Sequence, residues 1–221
     1  MEKRVKRTRI KMCGTTCIED AQAAVHAGVD ALGFIFVPKS PRNVSSQQAA
    51  DIIAGLPPFI SRVGVFVNNS LAEIQRIVDQ CGLNHVQLHG DEPAQLCVDL
   101  KTWNKSCSIC KAFRIGEGSP PLKLNDYSQV IDSILFDTYV KDIEGGTGKC
   151  FNWELINSLQ REKPIILAGG LNPDNIVAAL KKVAPYAIDI NSGIEKAPGI
   201  KDHTKLHKLV LQVRAVDAGF A

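Results

Sequence analysis

The sequence predicts a single-domain (β/α)8 barrel, and three features predict it. Short runs rich in Val, Ile and Phe alternate with helical patterns along the whole chain, giving eight strand-then-helix units of about 27 residues each. No composition shift or linker divides them, so residues 1–221 read as one domain with residues 1–7 as a basic leader. Polar, glycine-rich turns repeatedly follow the strand C-termini, where barrels of this type place their active sites. The same alternation also suits a doubly wound open sheet. That fold would carry a G-x-G-x-x-G fingerprint after its first strand, and here the turn reads Cys13, Gly14, Thr15, Thr16.

Taken in order, residues 8–12 are the first strand and 18–26 a helix, with Thr16 and Glu19 as a capping-box pair and Gly28 as its stop. Residues 30–37 form the second strand, followed by a helix from about Ser46 that Gly55, Pro57 and Pro58 close. The third strand is 63–67 and its helix 71–80, ending at Gly82. The fourth strand is 85–88, and its helix has Asp91 as N-cap and Pro93 in the first turn. A fifth strand near 108–113 precedes a loop at 116–121 and a short helix at 122–127. The sixth strand, 133–137, runs into a glycine-rich loop at 144–149 and a helix from about Asn152. Strand seven is 165–168 with a helix at 173–182; strand eight is 187–190, and a last helix covers about 201–213.

Composition narrows the functional classes. With 45% apolar and 22% charged residues the chain is ordinary for a soluble globular protein, and a net charge of +3 is too small to argue for nucleic acid. Much of the basic excess is Lys3, Arg4, Lys6, Arg7 and Arg9, most simply a solvated terminus, with a nucleic-acid arm as the alternative. No apolar stretch spans a bilayer and no signal-peptide pattern is present. Seven scattered cysteines do not suit a disulfide framework and fit a reducing cytoplasm. Cys107 and Cys110 have a redox-like spacing, but in a strand that spacing puts their side chains on opposite faces, as buried structural cysteines.

The chemistry-bearing residues lie at strand ends. Strands seven and eight end in Ala168-Gly-Gly and Asn191-Ser-Gly, and paired turns of this kind hold a phosphate through backbone N–H groups. Gly169, Gly170, Ser192 and Gly193 would be the donors; the alternative is that these glycines mark only tight turns. Cys13 closes strand one, and Lys11, two residues back on the same face, either lowers its thiol pKa or serves only as an interior ion-pair partner. Asp137 ends strand six after Ile134, Leu135 and Phe136; apolar surroundings favour its protonated form and suit a general acid, against a bracing role under the glycine loop. His89 ends strand four and either touches substrate or hydrogen-bonds inside the mouth. Arg42, in the loop after strand two, is either a two-pronged carboxylate clamp or a surface arginine. Asp20 and Asp91 read as helix-start residues. The loop at 145–149 is not a P-loop, because Ile143 and Cys150 stand where Gly and Ser or Thr are required; it reads as a flap over the barrel mouth.

Together these motifs resemble the phosphoribosylanthranilate isomerase family. The matching segments are Lys-Met-Cys-Gly at 11–14, Gly-Phe-Ile-Phe at 33–36, Lys-Ser-Pro-Arg at 39–42, Val-Gly-Val-Phe-Val-Asn at 63–68 and Val-Gln-Leu-His-Gly-Asp-Glu at 86–92. Further on are Leu-Phe-Asp-Thr at 135–138, Gly-Gly-Thr-Gly-Lys at 145–149, Leu-Ala-Gly-Gly-Leu-Asn-Pro at 167–173, Ser-Gly-Ile-Glu at 192–195 and Pro-Gly-Ile-Lys-Asp at 198–202. Met12 stands where the family usually has Ile, and Asn191 where it usually has Ser, which bears on one phosphate hydrogen bond. The resemblance implies a barrel enzyme of tryptophan biosynthesis that performs an Amadori rearrangement of N-(5-phosphoribosyl)anthranilate without metal or organic cofactor. It implies Asp137 as general acid on the ring oxygen, Cys13 as general base at ribose C2 and Arg42 on the anthranilate carboxylate. His89 and Asp189 complete the expected substrate-binding set, and the two glycine turns hold the phosphate. The expected partner is a small phosphoribosyl molecule, with no nucleic acid and no membrane, acting in the cytoplasm as a monomer or homodimer.

Overall fold

The structure, a computed structural model, describes residues 7–115, 124–137 and 163–220. The leader up to residue 6, the loop at 116–121, the glycine-rich loop at 144–149 and the helix expected from Asn152 lie outside the described residues. Eight strands, β1 (Arg9–Met12), β2 (Ala31–Ile35), β3 (Ser61–Phe66), β4 (His85–Leu88), β5 (Ser108–Arg114), β6 (Ser133–Asp137), β7 (Ile165–Ala168) and β8 (Ala187–Ile190), form a closed barrel in sequence order. Every neighbouring pair is parallel, and closure comes from β1 on β8, with Lys11 opposite Asp189.

Alternation along the strands builds two layers. Outward residues such as Ile10, Met12, Phe34, Leu88, Ile109, Phe136 and Ile188 are buried against the helices in one large apolar cluster. Inward residues form small clusters, Cys110, Ala112, Leu135 and Ala168 in one and Cys13, Ile35 and Val65 in another, leaving room for polar groups at the mouth. Cys107 belongs to the outer layer and Cys110 to the inner one, the opposite faces that strand geometry requires.

Among the described residues the helices are α1 (Ile18–Ala27), α2 (Ser46–Ala54), α3 (Leu71–Cys81), α4 (Ala94–Trp103), α5 (Leu124–Tyr127), α6 (Ile176–Val183) and α7 (His203–Asp217). Ser45, Ser70 and Asp202 cap α2, α3 and α7 through their side chains, and Gly28 and Gly82 end α1 and α3 in the left-handed conformation.

Three helix starts or caps differ from expectation for local reasons. Thr16 and Glu19 do not form a capping box: Cys17 is the N-cap without a side-chain bond, because the Thr16 hydroxyl donates to the Gly199 carbonyl at 2.6 Å. Pro93, not Asp91, is the N-cap of α4; the Asp91 amide donates to Asn68 Oδ1 instead. The α6 helix begins at Ile176 rather than 173, since Asn172 Oδ1 accepts from the amides of Asp174 and Asn175 and holds the chain in a turn. After β8 the chain makes only one 3-10 turn, Ser192–Ile194, then an antiparallel pair, β9 (Glu195–Ala197) and β10 (Ile200–Lys201), before α7.

Candidate active site

At the C-terminal mouth, one cavity of about 190 Å³ is lined by Cys13 from the end of β1, His89 from the end of β4, Asp137 from β6 and Asp189 from β8, together with both glycine turns. The thiol, the carboxyl and the expected phosphate donors Gly169, Gly170, Ser192 and Gly193 therefore share one enclosure. Arg42 does not line it.

The two turns interlock. Gly169 and Gly170 both take positive φ, 96° and 62°, and the Gly170 carbonyl accepts from the side-chain amides of Asn172 and Asn175. Gly193 packs against the Leu171 carbonyl so closely that a Cβ there would fall 2.0 Å from the oxygen. The β7 turn thus fixes the position of the β8 turn, and Gly193 is required at the contact.

Lys11 and Asp189 form a buried ion pair, Nζ to Oδ2 at 2.7 Å. Burial works against the Lys11 charge, but Asp189 and Cys13 more than offset it and hold the ammonium above its ordinary range. Burial also pushes the Cys13 thiol up; Lys11 counters most strongly, Asp189 adds to the rise, and Lys201 contributes a further counterweight. A Cβ on Gly33 would stand 3.0 Å from both Cys13 Sγ and Lys11 Nζ, so the bare position on β2 gives this pair its space. Asp189 Oδ1 is buried without a hydrogen-bond partner among the described residues, an acceptor in the cavity wall.

Asp137 and His89 face each other across the mouth, Nε2 to Oδ2 at 3.3 Å, and each keeps 20% side-chain exposure. Gln87, buried on β4 two residues before His89, meets the other ring nitrogen at 3.0 Å. With the Gln87 amide donating to Nδ1, the imidazole carries its proton on Nε2 and directs it at Asp137.

Arg42 is held by Glu195, Nε to Oε1 at 2.9 Å and Nη2 to Oε2 at 2.6 Å. The carboxylate it meets here is thus one of the chain's own. Asn191, expected to influence a phosphate bond, lines the cavity, and its Oδ1 accepts from Lys201 Nζ at 2.8 Å. Asp20 is more than a helix-start residue: it accepts from the Lys201 amide and pairs with His203 at 2.7 Å, tying α1 to the segment beside the site.

Gln87, Asn172, Asn175, Glu195 and Lys201 were not singled out from sequence. Asn172 and Asn175 carried a readable signal, an Asn-Pro-Asp-Asn turn; the others depend on distant partners. Among the described residues, no group of three or more His, Cys, Asp or Glu is placed to hold a metal ion, and no helix is long and apolar enough to cross a membrane.

A family model described as N-(5'phosphoribosyl)anthranilate (PRA) isomerase matches residues 10–212. The chain is 47% identical over 206 residues to an N-(5'-phosphoribosyl)anthranilate isomerase of Pseudomonas fluorescens, covering 93% of this chain and 98% of the relative. A relative of the same name from Pelobacter propionicus is 45% identical over 202 residues, 91% and 93% of the two chains. The crystal structure of phosphoribosyl anthranilate isomerase from Thermotoga maritima matches with a TM-score of 0.85 at 40% identity, over 94% of this chain and 99% of that one. A crystal structure of such an isomerase in complex with reduced 1-(o-carboxyphenylamino)-1-deoxyribulose 5-phosphate matches with a TM-score of 0.82 at 37% identity, over the same shares.

Proposed function

Since the chain belongs to the N-(5'-phosphoribosyl)anthranilate isomerase family, we propose that Cys13 and Asp137 are its catalytic base and acid, working on a phosphoribosyl substrate pinned by the two glycine turns. The reaction is the isomerisation of N-(5'-phosphoribosyl)anthranilate to 1-(2-carboxyphenylamino)-1-deoxyribulose 5-phosphate, in tryptophan biosynthesis. The observation that carries the residue assignment is the single cavity shared by Cys13, Asp137, Gly170 and Gly193.

Asp137 gives its proton to the ribose ring oxygen, and the C1–O bond breaks as the nitrogen lone pair forms an iminium. The carboxylate left behind accepts from His89 Nε2–H, so that hydrogen bond strengthens as the ring opens. The iminium acidifies the proton at C2, and the Cys13 thiolate removes it. The C2–H electrons form the enolamine, which then tautomerises to the ketone. Lys11 supplies the positive charge that stabilises the thiolate in a buried setting that otherwise disfavours it. The buried Asp189 Oδ1 accepts from a sugar hydroxyl, and amides of Gly169, Gly170, Ser192 and Gly193 take the phosphate. With the phosphate held, the sugar is fixed between acid and base, and orientation supplies much of the rate. Arg42 takes the anthranilate carboxylate.

Cys13→Ser and Asp137→Asn are expected to lower kcat by about 10²–10⁴-fold each, the size of a lost acid or base. The assay follows loss of substrate fluorescence, and binding of the reduced product analogue is expected to survive. Near-normal turnover in both variants would overturn the assignment.

A further inference from the structure

The segment that supplies the phosphate turn at Ser192 continues directly into a buried charge cluster. Glu195 occupies the side-on edge of Arg42, through Nε and Nη2, and Lys201 Nζ donates to the same Glu195 carboxylate at 2.8 Å. The Gly199 amide adds a fourth donor at 3.3 Å. The Glu195 side chain is 5% exposed and that of Lys201 fully buried, so neither acts as a surface ion pair. Burial works to raise the Glu195 pKa, and the Arg42 and Lys201 bonds more than offset it, keeping the carboxylate ionised.

Two consequences follow from this geometry. The guanidinium is clamped on one edge, while Nη1 has no hydrogen bond among the described residues, which leaves the terminal edge for a second carboxylate. Within the cluster two cations face one carboxylate, although burial lowers the Lys201 pKa, and the positive charge left over is shared between the neighbouring Cys13 sulfur and a further carboxylate at the free edge of Arg42. The clamp sits beside the reacting thiol: a Cβ on Gly14 would stand 2.8 Å from Arg42 Cδ and 2.9 Å from Asn191 Oδ1, and Gly14 takes φ +71° there.

We propose that Glu195, braced by Lys201, is the positioning and specificity-determining residue that holds Arg42 ready for the ortho-carboxylate of the substrate's aromatic ring. The proposal rests on the reading of Arg42 as the carboxylate anchor. Holding the arginine in advance removes the cost of ordering a flexible side chain at binding, so the benefit goes only to substrates that carry the carboxylate. Glu195 touches no substrate atom and works through Arg42.

The test compares two substrates, N-(5'-phosphoribosyl)anthranilate and its des-carboxy counterpart N-(5'-phosphoribosyl)aniline. Glu195→Gln is expected to raise KM for the anthranilate substrate about tenfold with kcat within about twofold, and to leave both constants for the aniline substrate nearly unchanged. Glu195→Asp, which keeps the charge but shortens the reach, gives an intermediate effect and serves if the Gln variant fails to fold. Equal effects on the two substrates, as a purely structural role would produce, or no effect on either, overturn the proposal. Arg42→Ala on the same pair separates the premises. Discrimination lost in Arg42→Ala but kept in Glu195→Gln overturns the positioning role alone, whereas no change in discrimination in Arg42→Ala overturns the anchor and the positioning role together.

Discussion

Replacing Gly193 by alanine tests the proposed phosphate cradle through a displacement that the structure specifies. The added Cβ would lie 2.0 Å from the Leu171 carbonyl oxygen, 2.8 Å from its carbon and 2.9 Å from Asn172 Cβ. An ordinary carbon–oxygen approach is about 3.3 Å, so the two turns must separate by about 1.3 Å. Leu171 is 1% exposed and packed in the outer core, and Asn172 is fixed by its own turn. The 192–194 turn therefore moves, taking its amides with it. Overpacking of this kind costs about 1–3 kcal/mol, or roughly 2–12 °C in Tm for a chain of this size. A misplacement near 1 Å at a positioning group costs about 10²-fold in kcat/KM. The assay is steady-state kinetics with inorganic phosphate as competitor, alongside thermal unfolding. Gly28→Ala is the control: φ there is +89° and nothing lies within 4 Å of the new Cβ, so it carries backbone strain far from the mouth. Unchanged KM and phosphate inhibition in Gly193→Ala, with a Tm loss no different from the control, would refute the interlocked cradle.

Two further variants probe the proposed base and the proposed acid separately. Lys11→Met removes the strongest influence holding the Cys13 thiol down and leaves Asp189 uncompensated, so the thiol pKa rises. The ascending limb of kcat against pH and the alkylation rate of Cys13 both move to higher pH, and a stationary limb would remove Lys11 from thiolate stabilisation. Gln87→Leu takes away the donor to His89 Nδ1 and is expected to lower kcat by about 3–10-fold, the worth of one hydrogen bond, with KM little changed. In an Asp137→Asn background the same change has no further effect; full additivity would show that Gln87 does not act through the acid.

Strands were legible in the sequence where an apolar run ends sharply against polar residues: 85–88, 133–137 and 165–168 coincide with β4, β6 and β7. Helix starts were less legible because a capping side chain can be claimed by a partner far along the chain, as Gly199 claims Thr16. Cys13, His89, Asp137 and the glycine turns could be picked out because barrel topology sends strand C-termini to one rim, and the structure brings them to one cavity. Glu195 and Lys201 were not, since the bond that gives Glu195 its meaning crosses 153 positions of sequence. Arg42 illustrates both sides. Its two-pronged grip on a carboxylate was readable from its type and loop, whereas the carboxylate it meets, Glu195, comes from β9, far along the chain.

In the proposed mechanism Cys13 and Asp137 flank one sugar whose phosphate lies on the Gly169–Gly170 and Ser192–Gly193 turns. A crystal structure of this protein with reduced 1-(o-carboxyphenylamino)-1-deoxyribulose 5-phosphate measures it directly. The expected result is Cys13 Sγ within about 3.5 Å of the sugar C2, the Asp137 carboxyl within about 3.5 Å of the oxygen released from the ring, and the phosphate on the paired amides. A sugar seated beyond reach of either group, or a phosphate bound away from those turns, would contradict it.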